Sequence, residues 1–177
     1  MKVISLWGKL ALLCVALTWS GCATPAGQGT SRGLRGEKPP KTMTVRTTAY
    51  THTEAGGRNN AIGTRLRFGS GVSSAASDWS WIPLGTRFRI KETGRIYVIE
   101  DYGSALIGRQ TIDLYMPNAP MMRSWGVRMV NIEILEWGSF PMSRMVLAPR
   151  RGVGIVNRML VAMDAQEKTG HAPKAGS

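Results

Sequence analysis

Cysteine is nearly absent from this chain. Of 177 residues only two are cysteines, Cys14 and Cys22, and both lie near the N-terminus. The rest of the sequence therefore has no thiol for nucleophilic catalysis, no cysteine ligand for a metal and no disulfide. Histidine is equally scarce, because only His52 and His171 occur, and neither has a partner at ligand spacing. We therefore predict no metal site and no cofactor, and a fold that rests on packing.

Acidic residues are also few. The chain has 11 Asp and Glu against 23 Lys and Arg, for a net charge of +12. Such an excess favours an anionic neighbour: nucleic acid, a membrane or an acidic cell-wall polymer. However, the sequence has no Lys/Arg run with interleaved aromatics and no helix-turn-helix or zinc-finger spacing. Nucleic acid is therefore not predicted as a partner.

No apolar run is long enough to cross a bilayer permanently. Residues 10–17 form a short apolar core behind Lys2 and Lys9, which is typical of a signal peptide. Small residues directly before Cys22 resemble a bacterial lipoprotein processing site. The alternative is an ordinary signal peptide that is cut near residues 23–26.

The lipoprotein interpretation divides the N-terminal part of the chain in two. Residues 1–21 are predicted to be a signal peptide, and cleavage leaves an acylated Cys22. Residues 22–41 are rich in Gly and Pro and are predicted to be a flexible tether. The protein is thus expected to be exported to the bacterial cell envelope, anchored by lipid at the outer membrane and facing the periplasm.

The middle of the chain has the alternating pattern of short strands separated by glycine-bearing turns. A predicted helix at 117–125 has Asn118 as its cap, Pro120 in its first turn and Gly126 as its stop. With no repeating strand–helix–strand unit, this pattern favours a mainly β fold, a small closed barrel of six strands over residues 42–137. The predicted strands are 42–50, 64–68, 87–91, 96–101, 111–116 and 127–135.

The C-terminal part, 138–177, is predicted to be a basic, partly helical extension. Residues 155–167 have a modest helical pattern, and 168–177 are polar and predicted to be disordered. The sequence does not indicate a function for this extension.

Two predicted strands each deliver an aspartate beside one glycine-bearing loop. Asp101 ends one strand, and Asp113 lies on the polar face of the next, beside Tyr115. The loop between the strands carries Gly103 and Gly108, which permit tight turns. We predict that the two carboxylates converge on a cleft, although Asp101 taken alone is also typical of a turn.

Five motifs, in order, resemble the 3D domain family, which is named for three aspartates. The family is a double-psi β-barrel related to the catalytic domain of MltA-type lytic transglycosylases. The ordered set, rather than any single motif, carries the resemblance. The motifs are Thr48-Ala49-Tyr50-Thr51, Ala61-Ile62-Gly63-Thr64, Asp78 with Trp81-Ile82-Pro83-Leu84-Gly85-Thr86, Asp101-Tyr102-Gly103-Ser104-Ala105 and Ile112-Asp113-Leu114-Tyr115.

The resemblance implies cleavage of the β-1,4 bond between N-acetylmuramic acid and N-acetylglucosamine in peptidoglycan, so glycan strands are the expected partner. It makes Asp113 the catalytic acid, which needs a raised pKa to be protonated near neutral pH. Asp101 is expected to perturb and orient it, and Asp78 to complete the cleft or hold a loop. Candidate substrate-binding residues are Tyr50, Thr64, Trp79, Trp81, Gly103, Ser104 and Tyr115.

Several of these assignments have a structural alternative. Trp79 and Trp81 either stack on sugar rings or bury the end of the barrel, and the tyrosines either donate to sugar or pack. Glu100 and Glu133 are expected to be surface charges on strands. The rival function is a non-catalytic barrel that binds cell-wall glycan. The oligomeric state is not predicted.

Overall fold

A computed structural model describes residues 41–54, 57–69 and 71–169 of the chain. The predicted signal peptide, the site of acylation at Cys22, nearly all of the predicted tether and most of the predicted disordered tail lie outside these residues. Within them, no helix is long and apolar enough to cross a membrane.

The described part of the chain is built on a closed six-stranded β-barrel, which confirms the predicted fold class. Around the barrel the strands follow the order β1-β5-β2-β4-β3-β6. Two neighbouring pairs, β1 with β5 and β2 with β4, are parallel, and the other pairings are antiparallel. This arrangement is consistent with a double-psi barrel. The strands are β1 Thr42–Tyr50, β2 Val72–Ala76, β3 Arg87–Ile90, β4 Ile96–Asp101, β5 Thr111–Tyr115 and β6 Arg128–Glu136.

Alternation along the strands fills the barrel interior. In β1, Met43 and Val45 are buried while Thr44 and Arg46 are exposed, as the period-two pattern predicts. The rings of Phe88 in β3 and Tyr97 in β4 stack with their centroids 5.7 Å apart. The same rule buries apolar residues of β5 and β6, namely Ile112, Leu114, Val130, Ile132 and Ile134.

One strand was predicted at the wrong place. Residues 64–68 form no strand, and only Arg65 makes an isolated bridge, to Asn59. The sixth strand is instead β2, whose sequence Val-Ser-Ser-Ala-Ala has too little apolar character to predict a strand. Ser74 of this strand is fully buried and hydrogen bonds to Glu100. Tertiary partners therefore allow small polar residues to occupy a barrel position that propensity alone disfavours.

The predicted short helix is present as α1, Ala119–Trp125. The side chain of Asn118 accepts a hydrogen bond from the backbone N–H of Met121 at 3.0 Å. Gly126 ends the helix with a φ of 61°, a left-handed conformation that favours glycine.

The C-terminal part contains more helix than predicted. The predicted helix at 155–167 is part of α3, Gly154–Thr169, which also takes in the first two residues of the segment predicted to be disordered. A further helix, α2 at Phe140–Leu147, was missed. Ser139 caps it by accepting from the N–H of Met142 at 3.1 Å. A serine with a proline two residues later resembles a loop in sequence, although both are well suited to a helix start.

This extension packs directly on the barrel. Leu147 of α2 and both Met159 and Met163 of α3 belong to the same buried apolar cluster as the barrel core. The backbone N–H of Leu84 donates to Ser143 Oγ at 3.0 Å. At the junction, a Cβ added to Gly138 would lie 2.2 Å from the carbonyl oxygen of Leu84. A side chain at this position is therefore incompatible with the observed contact.

Candidate active site

The strand register places Asp101 and Asp113 on either side of one residue. Ala76 in β2 is the partner of Asp101 in β4 and also of Asp113 in β5. Neighbouring strands lie about 4.8 Å apart, so the two backbones are separated by roughly 10 Å at most. Asp101 and Asp113, which were predicted to share a site, therefore lie at the same height on β4 and β5, the two strands that flank β2.

A β-bulge lies beside this pair. Between β2 and β4 the register shifts, so that Ala75 pairs with Ile99 and Ala76 with Asp101, and Glu100 has no opposite residue. A bulge interrupts the alternation of side chains and re-aims those that follow it. Glu100 thus leaves the regular ladder, directly before Asp101, which is paired with Ala76.

Asp113 is half-buried in the middle of β5. Its Oδ1 accepts a 2.6 Å hydrogen bond from the Thr48 hydroxyl on the neighbouring β1. Burial raises the pKa of Asp113 to about 6, the negative charges of Glu54 and Asp101 add to the rise, and the Thr48 hydrogen bond opposes it. Burial was expected to act together with a second carboxylate, but burial is the larger cause.

Asp101 accepts hydrogen bonds from more donors than Asp113 does. Its Oδ1 accepts from the backbone N–H groups of Ala61 at 3.1 Å and of Tyr102 at 2.9 Å. Its Oδ2 accepts from the Tyr50 hydroxyl at 3.3 Å. Burial raises the pKa of Asp101, and these three donors act against the rise because they favour the charged form. Asp101 is thus held in one orientation at the end of its strand.

Tyr50 and Tyr115 lie side by side between β1 and β5. They are register partners, and their rings meet edge to face with centroids 5.7 Å apart. Burial, with the charges of Asp101 and Asp113, raises the pKa of Tyr50 far above its ordinary value. The Tyr115 hydroxyl lies 2.9 Å from Nδ1 of His52. Both phenols therefore have polar partners at the site and are not merely packed.

Asp78, the third aspartate, is buried and holds backbone. Its Oδ1 accepts from the Ser80 N–H and hydroxyl at 2.8 and 2.7 Å. Its Oδ2 accepts from the N–H of Gly108 at 2.7 Å. Of its two predicted roles, the geometry corresponds to holding the loop that leads from Asp101 to Asp113.

Glu100 is a correction to the sequence analysis, because it is a buried acid and not a surface charge. It lies only 3% exposed, with Oε2 2.5 Å from Nη2 of Arg67 and Oε1 hydrogen bonded to the Ser74 hydroxyl. Glu133 is closer to the prediction, since it is partly exposed and pairs with Lys41 and Arg89. The pattern missed Glu100 because its arginine partner lies 33 residues away in sequence.

Trp79 and Trp81 are buried, at 0% and 7% exposure, so they do not offer ring faces for stacking on sugar. The indole N–H of Trp79 donates to the backbone carbonyl of Asp101 at 2.9 Å. Its ring also meets that of Tyr102 edge to face at 5.1 Å. Trp79 therefore supports the Asp101 backbone from inside, which corresponds to the alternative in which both indoles bury the barrel end.

The remaining predicted binding residues lie in loops. Thr64 is exposed, and its hydroxyl accepts from Nδ2 of Asn60 at 2.7 Å, which shapes the loop that carries Ala61. Gly103 precedes a single 3₁₀ turn, Ser104–Leu106, in which Ser104 is exposed. These residues flank the site without touching either carboxylate through a recorded hydrogen bond in the described part of the chain.

Two contributors to the site were missed from the sequence. Thr48 is one, although alternation along β1 already placed it on the same side as Tyr50. The other is the backbone N–H of Ala61, which no side-chain pattern reveals. As for metals, the described residues contain no group of three or more His, Cys, Asp or Glu close enough to hold an ion.

The site is thus a pair of strand-borne aspartates, both with raised pKa values, on the double-psi type of barrel. Residues 73–136 match the family model described as the 3D domain. The resemblance suggested by the motifs is therefore confirmed for this part of the chain, which contains five of the six strands and all three aspartates.

A search of characterised proteins gives a relative in Bacillus subtilis (strain 168), described as "Putative cell wall shaping protein YabE". The two sequences are 34% identical over 101 residues, which is 56% of this chain and 24% of the relative. The match therefore spans about a quarter of the relative's length. The remainder of that protein has no counterpart in the aligned region.

Proposed function

We propose that this protein acts on the bacterial cell wall as a lytic transglycosylase. The substrate is the glycan strand of peptidoglycan, cut at the β-1,4 bond between N-acetylmuramic acid and N-acetylglucosamine. The 3D domain and the name of the Bacillus relative support a role at the cell wall. The cleavage chemistry is supported by the aspartate pair and needs the experiment described below.

The proposed reaction uses Asp113 twice. As an acid, it gives its proton to the glycosidic oxygen as the bond from that oxygen to C1 of the muramic acid breaks. The C6 hydroxyl of the same muramic acid then attacks C1 and forms the 1,6-anhydro ring. The Asp113 carboxylate takes the proton of that hydroxyl and is restored, so no water is consumed and one carboxyl group suffices.

The observation that carries this proposal is the raised pKa of Asp113, about 6. A carboxyl with its ordinary pKa would be almost fully ionised at neutral pH, whereas this one keeps a useful protonated fraction. Asp101 supports it as a neighbouring negative charge that three donors hold in place. Thr48 orients the Asp113 carboxyl through its 2.6 Å hydrogen bond.

Product analysis tests the proposal. Purified peptidoglycan incubated with the protein is expected to release muropeptides with 1,6-anhydro ends, identified by mass spectrometry. The Asp113→Asn variant should lose about 100- to 10,000-fold in rate, the usual contribution of general acid–base catalysis. The rate should also fall as the pH rises above about 6, because the acid form is lost.

The rival function, a glycan-binding module without catalysis, predicts a different result. Such a protein would sediment with peptidoglycan and release nothing, and Asp113→Asn would leave its binding unchanged. Both tryptophans are buried, so such a module would bind glycan through its basic residues and not by stacking on Trp79 and Trp81. Release of muropeptides with ordinary reducing ends would instead indicate a hydrolase and would refute the transglycosylase mechanism.

We further infer that the protein is exported to the cell envelope, where its proposed substrate lies, and is anchored through lipid on Cys22. The support is in the sequence, where small residues precede Cys22 behind a short apolar core. Metabolic labelling with radioactive palmitate is expected to mark the wild type and not Cys22→Ser. Equal labelling of both would refute the anchor.

A further inference from the structure

The C-terminal extension reaches the candidate active site through one arginine. Between α2 and α3 lies a single 3₁₀ turn, Ala148–Arg150. From its last residue, Nη1 of Arg150 donates to the carbonyl oxygen of Ala61 at 2.8 Å and approaches the Tyr102 hydroxyl at 3.4 Å. Arg150 thus joins two segments that are far apart in sequence.

Both partners of Arg150 also hold Asp101. The N–H of Ala61 and the N–H of Tyr102 donate to the same oxygen, Oδ1, at 3.1 and 2.9 Å. Arg150 therefore contacts Ala61 and Tyr102, the two residues whose backbone N–H groups orient the Asp101 carboxylate. In Ala61 one residue serves both contacts, with its carbonyl toward Arg150 and its N–H toward Asp101.

The loop that carries Ala61 is held mainly by bonds within itself. The N–H of Asn60 donates to the carbonyl of Thr64 at 2.8 Å, and the N–H of Gly63 donates to the carbonyl of Asn60 at 2.9 Å. Among the recorded hydrogen bonds of residues 57–65, those that reach the barrel or the C-terminal extension all run through Ala61. Ala61 is therefore the residue through which this loop is hydrogen bonded both to Asp101 and to the C-terminal extension.

We propose that Arg150 is a positioning residue, which clamps the Ala61 peptide so that its N–H stays aimed at Asp101. The basic C-terminal extension thereby contributes to the geometry of the candidate active site. The clamp itself stands on the contacts above, and only its consequence for catalysis rests on the proposed function. Arginine suits the role because its long side chain carries several donors on one rigid, permanently charged group.

The matched control is the next residue, Arg151, which is also exposed. Its guanidinium makes no recorded hydrogen bond to the described residues, so Arg151→Ala removes the same charge and leaves the clamp intact. Arg150→Lys keeps the charge and a donor nitrogen, but loses the rigid planar guanidinium. Comparing these with Arg150→Ala separates the contact from the general loss of positive charge.

The first measurement is amide hydrogen exchange by NMR, which requires no catalysis. In Arg150→Ala, the Ala61 N–H should exchange about tenfold faster or more than in the wild type, because the loop opens more often. Arg151→Ala should match the wild type, and Arg150→Lys should lie between. Equal Ala61 exchange in the two alanine variants would overturn the proposal, whether or not the protein cleaves glycan.

The second measurement divides the kinetic effect between kcat and KM on peptidoglycan. A displaced Asp101 should lower kcat by about tenfold while KM changes little, because the interaction that is weakened stabilises the transition state and not the bound substrate. Partial rescue by Arg150→Lys supports positioning. A raised KM with unchanged kcat would make Arg150 a substrate contact and refute the clamp. Absence of cleavage by the wild type would defeat the proposed function and leave the exchange result to decide the clamp.

Discussion

Two pairs of acids in this part of the molecule differ in burial and in the partners of their carboxylates. Glu100 and Asp78 are 3% exposed; Glu100 pairs with Arg67 and the Ser74 hydroxyl, and Asp78 accepts from Ser80 and Gly108. Asp101 and Asp113 are half-buried, and their pKa values are raised. Burial is the main cause in both, because the hydrogen bonds they accept do not fully replace the water they lose.

The difference lies in how well the partners of each acid compensate its charge. Glu100 and Asp101 are consecutive in sequence, yet the bulge in β4 leaves the first against Arg67 and Ser74 and the second against backbone donors at the site. An acid with matched partners stabilises the fold. An acid whose charge is poorly compensated costs stability at neutral pH and is available for proton transfer.

The largest effect on stability is expected from Glu100→Ala. The change leaves the buried Ser74 hydroxyl without its carboxylate and Arg67 without its ion-pair partner. Hydrogen bonds to charged groups contribute about 1.5–3 kcal/mol each, so the free energy of unfolding should fall by about 3 kcal/mol. Urea denaturation at pH 7 measures it. A loss below about 0.5 kcal/mol would show that this acid is not structural and would break the comparison.

Asp113→Asn should have the opposite sign and a smaller size. The folded pKa is about 6 against an ordinary value of 3.8, so between these pH values the unfolded chain binds fewer protons and stability falls as the pH rises. The Asn side chain does not ionise, so the stability of the variant does not fall with pH in this way. It should be more stable than the wild type by about 2 kcal/mol at pH 8, with the gain vanishing near pH 3.

The control for this prediction is the pH dependence itself. A gain that persisted unchanged at pH 3 would come from packing and not from the missing charge. A variant less stable than the wild type at pH 8 would contradict the assignment of Asp113 as a poorly compensated acid. Denaturation curves at pH 3, 5 and 8, with Glu100→Ala measured alongside, decide between these outcomes.

Much of the fold was predictable where local signals act alone. The alternation of β1 and β5, and the capping of α1 by Asn118 and Gly126, agree with the structure. These features depend on residues within one turn or one strand of each other. Helix α2 was missed because Ser139 and Pro141 are equally typical of a loop, and only its packing on Leu84 through Ser143 distinguishes the two.

The candidate site was predictable in part. The order of the motifs singled out the three aspartates and Tyr50, and the register brings Asp101 and Asp113 to either side of Ala76. The roles of Trp79 and of the Ala61 peptide were not predictable. Both act through backbone groups, and a backbone N–H or carbonyl has no residue type by which to recognise it.

By itself, the sequence determined five of the six strands, the small β-barrel architecture and the pair of aspartates on neighbouring segments, because period, turns and residue type are local properties. Only the tertiary structure decided the burial and the partners of each acid, and it is burial that raises the pKa values of Asp101 and Asp113. It also decided that the C-terminal extension touches the site through Arg150. Burial and electrostatic pairing are set by neighbours distant in the chain, and the register of a closed barrel is what brings those neighbours together.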